Sequence, residues 1–87
     1  MSLYRMDTLM RQARNKGICL GAFECWDSLN VQMIAKASDF CGIPVIFQAS
    51  PVEYNTMGGP DALADIVNFF VKKYDIVSIA QFSKKEK

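Results

Sequence analysis

The chain has 87 residues, enough for one small domain or a portion of a larger one. Apolar residues make up 51% and charged residues 22%, a globular balance that argues against a disordered chain. A net charge of +1 leaves no electrostatic footprint for nucleic acid, and there is no histidine.

The one basic cluster, Lys84, Lys85 and Lys87, lies at the end and is interrupted by Glu86, which predicts a solvated tail. No apolar run approaches the roughly 18–20 residues that cross a bilayer, so no membrane partner is expected. Arg5 and Asp7 interrupt the N-terminus, which excludes a signal peptide there. Cys19, Cys25 and Cys41 are an odd set with no export signal, so reduced cytoplasmic thiols are expected. Cys19 and Cys41 fall within apolar stretches, where cysteine acts as a small hydrophobe. The wide spacing of the three does not suggest a metal site.

Asp7 is placed to cap a first helix ending near Lys16, with Met6, Leu9, Met10 and Ala13 on its apolar face and Gly17 as its stop. Residues 18–23 form a continuous apolar run and predict a buried strand. Asp27 or Ser28 then caps a second helix to about Cys41, with an inward stripe of Val31, Ile34, Ala35, Ser38 and Cys41. Gly42 ends it, and Pro44 admits a second strand over 45–49. Residues 50–59 read as a loop, carrying Pro51, Asn55, Gly58 and Gly59.

Pro60 suits the first position of a third helix and Asp61 its first turn. Leu63, Ile66, Val67, Phe70, Val71 and Tyr74 keep a strict helical face there, and Lys72 and Lys73 suit its last turn. Residues 76–80 begin a third strand. Strands that recur at βαβ spacing without strong alternation predict a parallel sheet covered on both faces. With sequential strand order, right-handed crossovers put the connecting helices on one side. The fold class is therefore α/β, either the opening of a (β/α) barrel or a small doubly wound layer.

These residues resemble the class II, metal-dependent fructose- and tagatose-bisphosphate aldolases. The resemblance rests on Asp7-Thr8-Leu9-Met10 to Lys16-Gly17, then Gly21-Ala22-Phe23, Gln32, Ile34 and Ala37. It continues through Pro44-Val45-Ile46-Phe47-Gln48-Ala49-Ser50-Pro51, Gly58-Gly59 and Tyr74-Asp75-Ile76. It covers roughly residues 5–76 of a single unit spanning 1–87, with 77–87 divergent.

The family implies the first two βα units and third strand of a (β/α)8 TIM-type barrel, preceded by a leading helix. It implies reversible aldol cleavage of a ketose bisphosphate in carbohydrate metabolism such as glycolysis. In the parent enzymes zinc held by three histidines polarises the carbonyl, and an aspartate moves the proton. A sugar-phosphate substrate is the further expectation from the family; the reduced thiols imply a cytoplasmic location, and two unpaired sheet edges with the wide apolar face of the third helix imply a homo-oligomer.

Two substrate positions of the family fall in this chain. Ser50 matches the serine near the dihydroxyacetone-phosphate portion, and as a bare residue it equally suits a turn start. Glu24 stands where the family has asparagine, and an ionised carboxylate there accepts hydrogen bonds only and repels a phosphorylated substrate. Gln48 alternates with Phe47 and so points into the barrel, either as a satisfied core amide or as a ligand contact. Trp26 and Asp27 either line the mouth or start the helix. Aligning Val77 with the strand valine of the family puts Phe82 at the catalytic aspartate and Ser83 at the first metal-binding histidine.

This chain therefore carries no catalytic residue and no metal ligand of the family set. Three readings follow: the N-terminal fragment of such an aldolase, inactive alone; a non-catalytic binding or oligomerisation module derived from the barrel; or an unrelated flavodoxin-like domain. The last lacks any Gly-x-Gly-x-x-Gly or phosphate-loop motif.

Overall fold

The computed structural model describes residues 6–84. Its elements run α1 (Met6–Lys16), β1 (Gly21–Glu24), α2 (Ser28–Cys41), β2 (Val45–Ala49), α3 (Pro51–Asn55), α4 (Pro60–Tyr74) and β3 (Ser78–Phe82). The three strands are parallel and ordered β1-β2-β3. The sheet is parallel, as the βαβ spacing predicts, and its strand order is sequential.

Alternation along the strands sorts side chains onto two faces. Val45, Phe47 and Ala49 of β2 join Val31, Ile34 and Ala35 of α2 and Leu63, Val67 and Val71 of α4 in the main core. Phe47, Val31, Leu63 and Val67 are fully buried, each side chain contributing on the order of 1.5–3 kcal/mol over its exposed state. A second, smaller cluster lies on the opposite face, where Leu9 of α1 packs on Ile46 and Ile79. These isoleucines sit toward the N-terminal ends of β2 and β3. Helix α1 therefore covers only that half of the face.

The helix ends follow local chemistry. The Asp27 side chain accepts the Asn30 backbone N–H at 2.7 Å and caps α2, while Gly42 at φ 69° closes it in a conformation that costs a residue with Cβ. Asp75, at φ 53°, closes α4 in the same way.

Several expectations are corrected. Asp7 lies inside the first turn of α1 and accepts the Thr8 N–H rather than capping the helix, and Met10 is exposed. The first strand is not a buried run over 18–23 but Gly21–Glu24, with its residues exposed or half-buried. It is an edge strand, and the described chain lays no helix over it, so nothing removes it from water. Of the α2 stripe, Cys41 is exposed because it falls at the helix end, away from α4.

The thiols also invert the expectation. Cys19 and Cys41 are exposed and Cys25 is buried, since the apolar runs around the first two fall at uncovered ends. Residues 50–59 are not all loop: α3 forms because Ser50 and Glu53 build a capping box and Pro51 presets the first turn. The third strand starts two residues late, at Ser78, because Ile76 still belongs to the helix-to-strand turn. Lys84 is exposed, whereas Arg5, Lys85, Glu86 and Lys87, and the side chain of Met6, lie outside the described residues. Among the described residues no helix is long and apolar enough to cross a membrane.

Candidate functional site

At the carboxyl ends of the strands the sheet carries one polar rung. The register pairs Glu24 with Gln48 and Gln48 with Gln81, so all three stand side by side on the face opposite α2 and α4. Helix α1 packs lower on this face and leaves the rung uncovered. The Gln48 Nε2–H donates to Glu24 Oε1 at 2.9 Å, which fixes the carboxylate in place. Both side chains are half-buried, and Gln81 is exposed.

The rung forms one wall of a cavity of about 140 Å³, completed by Ala49, Ser50 and Ser83. Among the described residues no lysine, arginine or histidine lines it, so Glu24 is the one formal charge in that wall. Such a wall offers a carboxylate acceptor, amide donors and hydroxyls that both donate and accept.

Ser50 is held by α3. Its backbone N–H and its hydroxyl both donate to Glu53 Oε1, at 3.0 and 2.9 Å. The hydroxyl proton is thus engaged by the helix cap, and a ligand meets the oxygen lone pair that the Glu53 backbone N–H of the capping box leaves over. Capping and lining are compatible roles for this residue.

The other strand-end residues divide by face. Phe82 points to the helix side, packs against the main core and meets the Tyr54 ring at 6.3 Å between centroids. Ser83 stays at the cavity, its N–H on the Ala49 carbonyl at 2.9 Å and its own carbonyl accepting the Tyr54 hydroxyl at 2.8 Å. Of the two residues before α2, Asp27 is the cap and Trp26 is exposed, its N–H on Asn30 Oδ1. Neither lines the cavity.

The structure therefore brings Glu24, Gln48 and Ser50 together, and adds Gln81 and Ser83. Gln81 has a sequence signal, since it follows Ile79 at strand period, but it is visible only once β3 is known to extend past residue 80.

Beneath the rung, Cys25 is fully buried, and its N–H donates to the Gln48 carbonyl at 2.9 Å. Burial pushes its thiol up to about 12, the Glu24 carboxylate adding to the rise and a backbone hydrogen bond at Gln48 opposing it. A thiol held protonated is neither nucleophile nor metal ligand. Among the described residues no group of three or more His, Cys, Asp or Glu is placed to hold a metal ion. The donor set at the strand ends, one carboxylate among amides and hydroxyls, does not fit a three-histidine zinc centre.

The family model described as Fructose-bisphosphate aldolase class-II matches residues 4–81, from ahead of α1 into β3. No curated protein matches the chain.

Proposed function

The chain belongs to the class II fructose-bisphosphate aldolase family, and from that membership we propose that residues 1–87 supply the N-terminal part of its (β/α)8 barrel. On this reading α1 is the leading helix, β1–α2 and β2–α4 are the first two βα units, and β3 is the third strand. The observation that carries it is the polar rung Glu24–Gln48–Gln81, which stands at the carboxyl ends of sequential parallel strands. Barrels of this kind bind substrate at that end of the sheet. Glu24, Ser50 and Gln48 then contribute to the rim of a site for ketose bisphosphates, either fructose or tagatose.

The metal of the family, zinc, would supply Lewis-acid chemistry when bound by the parent enzymes. This chain's own residues take no part in holding it: the sequence has no histidine, and Phe82 occupies the strand end with a core-facing ring. The 87-residue chain alone is therefore inactive. A retro-aldol assay on fructose and tagatose 1,6-bisphosphate with added zinc tests this, together with metal analysis. Turnover, or one zinc per chain, overturns the reading. A His-x-Asp-His series in any frame of the coding sequence beyond the Ile76 codon is the expected genetic remnant.

A second reading, a non-catalytic assembly module in the cytoplasm, is favoured by one observation. An apolar groove of about 370 Å³ runs along β1, walled by Phe23, Met33, Ile34 and Ile43, beside an unpaired strand edge. Association of two or more copies through this side covers both.

A further inference from the structure

The strand-end cavity differs in charge from one built for a phosphorylated group. Among the described residues its wall holds one carboxylate and no basic side chain, and that carboxylate is aimed by an amide rather than neutralised by a cation. A phosphate ester only accepts hydrogen bonds and is anionic, so Glu24 faces it as a like charge that no described residue of the wall offsets. A hydroxyl donates as well as accepts. It can give its proton to Glu24 and take one from the Gln48 or Gln81 amide beside it on the rung. Adjacent hydroxyls of a polyol repeat this pairing along the three in-register side chains. At about 140 Å³ the cavity is below the roughly 300 Å³ that encloses a whole ligand, so it seats a segment.

We propose that this cavity binds an uncharged, hydroxyl-bearing polyol segment and rejects a phosphate ester, with Glu24 as the hydroxyl acceptor and Gln48 as the residue that positions it. The proposal rests on the reading of the strand ends as the sugar site. Glu24 is then the specificity-determining residue of that site, and Gln48 acts through it.

The test follows the side-chain amide signals of Gln48 and Gln81 in the full 87-residue chain by nitrogen–proton NMR, titrated with glycerol and, separately, with glycerol 3-phosphate. Glycerol is expected to shift both signals, and the phosphate ester to bind at least tenfold more weakly. Glu24→Gln keeps the shape and removes the charge, so it should bring the two probes within about threefold of each other by admitting the ester. The wild-type comparison needs no variant and stands if Glu24→Gln does not fold. Tighter binding of the ester by the wild-type chain overturns the inference and leaves the sugar-site reading intact. Failure of both probes to move either amide overturns both.

Discussion

Cys25 links burial to pH at the scale of one residue. Its thiol ionises near 9.0 when exposed and near about 12 in the folded chain, so the folded state holds its proton longer than the unfolded one. The stability this contributes is complete below pH 9.0 and is lost as pH rises toward about 12, at up to about 1.4 kcal/mol per pH unit. Urea denaturation between pH 8 and 11 should show that fall, and Cys25→Ala should flatten it relative to the parent chain. Equal slopes for the two proteins would refute the assignment. Ser78 gives a second case, since it is fully buried and its hydroxyl has no hydrogen-bond partner. Ser78→Ala removes an unsatisfied group and should raise stability by about 1 kcal/mol, seen as a higher urea midpoint at unchanged m-value. A lower midpoint would mean that the hydroxyl is satisfied after all. At this scale the sequence exposes residue type but not environment. Glu24 and Ser50 stand out as polar groups closing apolar runs, whereas the burial of Cys25 depends on its place beneath the rung. Cys19 has the more apolar neighbours and is the exposed one.

Among the elements, α4 is legible because its apolar face repeats over its whole length and its ends carry Pro60 and Asp61 at the start and Lys72 and Lys73 in the last turn. The second helix and second strand are legible for a related reason: α2 packs against α4 and β2 is the central strand, so apart from Cys41 the inward stripe and the apolar strand residues are buried. β1 and β3 were displaced from their apolar runs because the sheet pairing, a long-range contact, sets where each begins. Helix α3 is too short to show a period, and its signal was the Ser50–Glu53 spacing of a capping box, overridden in the sequence by the glycines and Asn55 around it. That box carries a prediction. Glu53→Ala leaves the Ser50 N–H and hydroxyl without their acceptor and should cost about 1 kcal/mol, with faster amide exchange over Pro51–Asn55. Glu53→Gln, which keeps an acceptor oxygen, should lose less. Unchanged exchange in α3 for the alanine variant would show that Tyr54, anchored in the core and on the Ser83 carbonyl, holds the helix unaided.

For the whole molecule the unfinished side is β1. Among the described residues its outer edge has no neighbouring strand, and Phe23, Met33 and Ile43 stand exposed beside it along the apolar groove. Edges of this kind pair with other strands unless charge or a covering element blocks them; among the described residues Glu24, at its carboxyl end, is the one charge on β1, and no helix covers the strand. The groove and the edge are contiguous, so one contact between copies buries apolar area and satisfies backbone groups together. Light scattering at micromolar concentration should therefore give a dimer or a larger species. Phe23→Glu places a charge at the junction of groove and edge, on a side chain already 47% exposed. It should shift the chain toward monomer while leaving the α2–α4 core and its far-ultraviolet circular dichroism intact. A wild-type chain that stays monomeric at that concentration would end this account of β1, and a Phe23→Glu variant that still associates would move the contact to the unpaired edge of β3.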